Sequence, residues 1–107
     1  MIDLASYIRE QQSWSLETFG PGERHKQVVA HIRKELVEIE ASPSDLEEWV
    51  DVCILAIDGA WRAGWIPEEI AACLLKKQRI NQERSWPDWQ TAPDDRPIEH
   101  FRSRETP

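Results

Sequence analysis

Residues 31–51 read HIRKELVEIEASPSDLEEWVD, and this stretch decides the fold. It holds two carboxylate pairs, Glu35 with Glu38 and Glu48 with Asp51. Each pair has i,i+3 spacing, which puts both acids on one face of a helix. Pro43 and its flanking serines fall between the pairs, so the stretch reads as two consecutive helices joined by a tight turn. Two neighbouring antiparallel helices can bring four carboxylates to one point. Such a cluster repels itself unless cations share it, and hard cations with oxygen ligands, such as Mg²⁺, are the usual partners.

Working outward, no run alternates apolar and polar residues, so strands are not expected and the fold class reads as all-α. A short first helix is capped by Asp3 and carries Leu4 and Ile8 at i,i+4. Gly20-Pro21-Gly22 breaks the chain. The second helix runs from near Glu23 to Ala41. Ser42 as N-cap, Pro43 at the first helical position and Asp45 in the first turn open a third helix, which reaches Ala63 and stops at Gly64. Pro67 opens a fourth helix, with Glu68 and Glu69 in its first turn, that runs to Glu83. Residues 85–107, with Pro87, Pro93 and Pro97, read as an irregular tail, part of which packs down through Trp86, Trp89, Ile98 and Phe101.

The 107 residues are expected to form a single domain. A domain this small buries a limited share of its surface, which favours association with a second copy. The net charge of −7 repels phosphate backbones and argues against a general nucleic-acid binder, a helix-turn-helix protein included. It does not exclude small phosphate substrates, because bound metal ions reverse the local sign. Cys53 and Cys73 lie in apolar helical runs without metal-ligand spacing and read as buried free thiols of a reducing cytosol. No basic region followed by an apolar core opens the chain, and Val50–Ile57, its most apolar stretch, is too short to span a bilayer. A cytoplasmic location is expected.

Projecting the helices separates the acids. On the second helix Val28, Val29, Ile32, Leu36 and Ile39 make an apolar stripe, and at about 100° per residue Glu35 points into its middle. A carboxylate there is costly unless paired or metal-bound. Glu38 lies at the stripe's edge, where a solvated glutamate is the plain alternative. The third helix is apolar nearly all round and is expected to be buried on most sides. Glu48, Asp51 and Asp58 share one stripe of it, facing either water or an interior cleft, and Asp58 can pair with Arg62 four residues on. On the fourth helix Ile70, Cys73, Leu74 and Ile80 define an inner face that also carries Lys77, Asn81 and Arg84. These three either neutralise the acids as structural ion pairs or contact a bound polyphosphate. His31 lies beside the apolar stripe and reads as a satisfied core residue rather than a ligand. Arg24 belongs to a loop that can close over a ligand, and Trp14 or Trp86 can stack on a base.

The ordered set E-x-x-E, E-x-x-D and K-x-x-x-N resembles the all-α nucleoside triphosphate pyrophosphohydrolases of the MazG-like superfamily. Thr18-Phe-Gly-Pro-Gly-Glu-Arg24, His31-Ile-Arg-Lys-Glu35, Asp45-Leu-Glu-Glu-Trp-Val-Asp51, Leu55-Ala-Ile-Asp-Gly-Ala-Trp-Arg62 and Arg84-Ser-Trp-Pro-Asp88 resemble more narrowly its bacterial and phage dATP/dGTP diphosphohydrolase branch. One departure is the nine residues between Glu38 and Glu48, a shorter interval than in many members. The resemblance implies a four-helix-bundle-type fold that assembles as a homodimer or homotetramer. It implies hydrolysis of a purine (deoxy)nucleoside triphosphate, dGTP or dATP, to the monophosphate and pyrophosphate. Glu35, Glu38, Glu48 and Asp51 would ligate two or three Mg²⁺ ions, with Mn²⁺ able to substitute, and Glu35, with Glu38, would serve catalysis. Lys77, Asn81 and Arg84 would hold phosphates, with Arg24 and Trp86 as further substrate contacts. The competing reading is a non-catalytic helical interaction module whose charges form interhelical salt bridges.

Overall fold

The computed structural model describes residues 2–102 and contains four helices: α1 (Leu4–Phe19), α2 (His25–Ala41), α3 (Leu46–Arg62) and α4 (Pro67–Glu83). A single 3₁₀ turn, Trp89–Thr91, follows, and no strand occurs among the described residues. The all-α class expected from the sequence is the one observed.

Each helix end has a local cause. The Asp3 carboxylate accepts from the Ala5 N–H at 3.2 Å, satisfying one backbone donor that a helix start leaves orphaned, and from the Ser6 hydroxyl at 2.7 Å. α1 is not short. It spans 16 residues because its inner face continues from Ile8 through Gln11 and Ser15, all buried. Those two polar residues interrupt the apolar periodicity without interrupting the helix. α1 stops at Gly20, whose φ of 87° lies outside the range of ordinary L-residues.

The turn between α2 and α3 departs from expectation. Ser42 does not cap α3; its N–H closes α2 by donating to the Glu38 and Ile39 carbonyls. The cap of α3 is Asp45, whose carboxylate accepts from the Glu47 N–H at 3.0 Å. The Trp49 indole N–H donates to the Pro43 carbonyl at 2.8 Å and braces the turn. Pro67 opens α4 as expected, and Glu69 reaches back to the Ile66 N–H at 3.1 Å.

Two compact units divide the chain, Met1–Cys73 and Leu74–Pro107, with the boundary inside α4. In the first, α3 packs on α2 and on α1, and Ile8, Trp61 and Ile70 form the core with Leu4, Tyr7, Ile57 and Ala60 around it. The second holds the end of α4 and the segment after it. There the Phe101 N–H donates to the Ser85 carbonyl at 2.8 Å, the Trp86 indole N–H donates to the Asn81 carbonyl at 2.7 Å, and Trp86 meets His100 edge to face. Part of the tail does pack down, although Trp89 is exposed.

Two burial expectations fail. α3 is buried only toward its C-terminal end, at Asp58, Trp61 and Arg62, while Leu46, Trp49 and Val50 stay exposed. Cys53 and Cys73 are exposed thiols. The cause is the same for α3 and Cys53: among the described residues only α1 and α2 pack strongly on α3, too few neighbours to cover a helix apolar on nearly every side. On α4 the buried face ends at Ile70, leaving Cys73 and Leu74 outside it.

Candidate functional site

The hairpin of α2 and α3 brings three of the expected acids together. Glu35, Glu38 and Glu48 each offer a carboxylate oxygen within 4.8 Å of the others. Glu35 is buried, as its direction into the apolar stripe requires, between the buried Val28 and Ile39 of the same helix. His31 Nε2, one turn earlier, lies 3.2 Å from its Oε1. His31 is therefore not a core residue; its side chain is half exposed and anchors the acid. Glu35 Oε2 and Glu48 Oε2 are both buried without a hydrogen-bond partner. Buried carboxylate oxygens left this way are costly, and several converging on one point suit a hard cation.

The electrostatics show the same crowding. A hydrogen bond shared with Glu38 pushes the Glu48 carboxyl up to about 7, helped by burial and by the negative charges of Glu38 and Glu35. The adjoining carboxyl groups of Glu35 and then Glu48 hold Glu38 below its ordinary value. Of Glu38 and Glu48, Glu48 is the acid that more readily holds a proton, and a cation bound there would take the proton's place. Asp51 is exposed and lies outside the three-acid cluster, but it lines a neighbouring cavity together with Glu35.

That cavity, of about 400 Å³, lies within the first unit. Its walls come from α1 (Gln11, Trp14, Ser15, Phe19), the loop after α1 (Arg24), and α2 and α3. Trp14 and Phe19 meet edge to face at 5.5 Å, and both are about half exposed. Arg24 lies over the Phe19 ring at 6.0 Å and donates to the Phe19 carbonyl at 3.1 Å.

Beneath the loop is a closed polar knot. Arg62 donates through Nε to Asp58 Oδ2 at 2.9 Å. Its Nη1 serves the Gly20 and Gly22 carbonyls at 3.0 and 2.9 Å, and its Nη2 serves the Ser15 carbonyl and hydroxyl at 3.3 and 3.0 Å. All five guanidinium N–H groups are used. The Ser15 hydroxyl donates in turn to Asp58 Oδ1 at 2.5 Å. The i,i+4 pairing of Asp58 with Arg62 was legible in the sequence; its coupling to the glycine loop was not.

Of the remaining expected site residues, Lys77, Asn81, Arg84 and Trp86 belong to the second unit. There Arg84 Nη1 donates to Asn81 Oδ1 at 3.2 Å, and Lys77 is exposed.

A dATP/dGTP pyrophosphohydrolase family model matches residues 7–104. The chain belongs to that family. Among curated relatives, the Eaa protein of Salmonella phage P22 is 34% identical over 80 residues, covering 75% of this chain. The chain spans only 25% of that relative's length. Among solved structures, the MazG-like pyrophosphohydrolase of cyanophage S-2L is 28% identical over 100% of both chains, with a TM-score of 0.74. That protein was captured with dGDP and three catalytic Mn²⁺ ions per active site. The family and the fold are therefore those the sequence resembles.

Three of the four expected acids, Glu35, Glu38 and Glu48, converge within this fold, while the buried polar Gln11 and Ser15 were not anticipated from the sequence. A polar residue at the i+3 and i+7 positions from Ile8 was the available signal, the same kind of anomaly that singled out Glu35. Among the described residues no helix is long and apolar enough to cross a membrane.

Proposed function

We propose that this domain hydrolyses purine deoxynucleoside triphosphates, dGTP and dATP, to the monophosphate and pyrophosphate in the presence of Mg²⁺, with Mn²⁺ able to substitute. The observation that carries the reading is the convergence of Glu35, Glu38 and Glu48 with two buried, unpartnered carboxylate oxygens among them. Three acid side chains converging from two helices have no structural use in that arrangement, since it stores repulsion.

Glu35, Glu38 and Glu48, with Asp51 nearby, would hold the divalent ions, which neutralise phosphate charge and lower the pKa of bound water. The chain's own part is positioning. His31 stands beside Glu35 Oε1, and Oε2, which has no partner, would accept a proton from the attacking water. The new bond joins water oxygen to the α-phosphorus, the bond from that phosphorus to the bridging oxygen breaks, and pyrophosphate leaves. Arg24 carries a positive charge to the cavity wall, and the donor-bearing side chains of Lys77, Asn81 and Arg84 suit phosphate oxygens. Trp86 is the remaining substrate contact in this reading.

The large exposed side chains of α3, Leu46 at 73% and Trp49 at 51% exposure, support assembly as a homodimer or a dimer of dimers. The experiment is pyrophosphate release from dGTP and dATP with Mg²⁺ or Mn²⁺, repeated for Glu38→Gln. The wild type turns over and the variant loses most of its rate. Absence of pyrophosphate release from every purine triphosphate with either metal would overturn the reading.

A further inference from the structure

Gln11 is 8% exposed, lies on α1, and forms part of the cavity wall beside Trp14 and Ser15. Its Nε2 donates to the Ile54 carbonyl of α3 at 2.7 Å. A carbonyl only accepts, so this bond fixes which end of the amide faces α3. The other end, Oε1, is an acceptor, and it is buried with no hydrogen-bond partner. A buried acceptor left unsatisfied is destabilising, and a native protein that keeps one in a cavity wall gains something when a ligand supplies the donor.

The surroundings define the ligand. Trp14 and Phe19 add aromatic faces, against which a flat heterocycle stacks irrespective of its identity. The cavity's size falls within the range of small-molecule sites. Glu35 and Asp51 line the same cavity, so a base placed there belongs to a nucleotide whose phosphates extend toward the acids.

We propose that Gln11 is a specificity residue that accepts a hydrogen bond from an N–H donor on the edge of a purine base, an inference that rests on the nucleotide-hydrolase reading above. Adenine offers its exocyclic amino group, and guanine offers its amino group and its ring N–H. A single fixed acceptor therefore admits both purines and disfavours a purine that has no donor.

The test compares dGTP and dATP with the triphosphate of purine 2′-deoxyriboside, whose base bears no N–H donor, using the wild type and Gln11→Leu. One neutral hydrogen bond corresponds to about a tenfold difference in kcat/KM. The wild type favours the donor-bearing nucleotides by about that factor. In Gln11→Leu the ratio falls to about one, through loss on the donor-bearing nucleotides alone. A merely structural Gln11 would lower all three substrates equally, and that outcome overturns the proposal. So does a wild-type ratio near one, a measurement that needs no variant to fold. Binding of the corresponding monophosphates with Mg²⁺ reads the same ratio without turnover. Equal affinity for all three overturns the role of Gln11 whether or not the triphosphates are hydrolysed, whereas a tenfold preference without hydrolysis leaves Gln11 in place and removes only the catalytic reading.

Discussion

Replacing Arg62 by Met tests whether the polar knot holds the first unit together. The Arg62 side chain is 2% exposed and that of Asp58 12%, so solvent cannot take over the lost interactions. Met fills much of the arginine's apolar volume, which leaves electrostatics and hydrogen bonding as the main change. Asp58 then keeps the Ser15 hydroxyl but loses its only countercharge in the knot, and the Gly20 and Gly22 carbonyls lose their donor. Removing one partner of a buried ion pair costs about 3–5 kcal/mol. That is a large fraction of the roughly 5–15 kcal/mol that stabilises a typical domain. At about 4–8 °C per kcal/mol for a domain near this size, the melting midpoint falls by about 12 °C or more. Urea unfolding followed by circular dichroism at one fixed protein concentration measures the change, with an unaltered m-value as the check that the unfolded state is unchanged. A loss below about 1 kcal/mol, the range of exposed pairs, would refute the reasoning, because it would mean that water replaces the guanidinium. The double variant Asp58→Asn with Arg62→Met recovers part of the loss, since no uncompensated charge remains.

Three further outcomes follow from the same geometry. Glu48 titrates near 7 when folded against about 4.5 otherwise, so its contribution to metal-free stability is complete below pH 4.5 and is lost as the pH rises through 7. Melting in EDTA across that window shows the decline, excess Mg²⁺ flattens it by replacing the proton, and Glu48→Gln removes it; a flat metal-free profile would contradict the shared-proton cluster. Gly20→Ala meets no atom within 4 Å, so any loss is purely conformational, about 1–3 kcal/mol for a φ of 87° and ψ of 169° that only glycine adopts readily, and an unchanged urea midpoint would show that the loop relaxes freely. Val50→Glu places a charge on the exposed apolar face of α3 and shifts sedimentation toward the single chain; a wild type already sedimenting as a single chain argues against association through this face.

What the sequence makes legible is whatever a residue's direction along one helix can contradict. Glu35 points where an apolar residue belongs, and it is buried. The i,i+3 pairs fix which acids share a face, and the hairpin then gathers Glu35, Glu38 and Glu48. Asp51 marks the limit of that logic: it shares a face with Glu48, one turn on, yet lies outside the cluster and faces the cavity instead. The third helix shows a different limit. Ser42 is the expected cap and Asp45 a first-turn acid, yet Ser42 closes α2 and Asp45 caps α3. Burial of α3 was overstated because periodicity reports which side chains seek cover, not how many neighbours one chain supplies.

The residues that were illegible act across the chain rather than along it. Gln11 meets Ile54, and Ser15 meets Asp58, each at a sequence separation of 43. Read locally, both are polar residues that weaken an amphipathic pattern, which is why α1 looked short. Read in the fold, they are polar because they sit where α1 crosses α3: Ser15 completes the buried Asp58 and Arg62 pair, and Gln11 spends one end of its amide on α3. A purely structural contact would be served by a residue satisfied at both ends, as Ser15 is. Gln11 is not, and the difference between these two neighbours on one helix face separates a residue that holds the cavity's wall from one that has capacity left for what enters it.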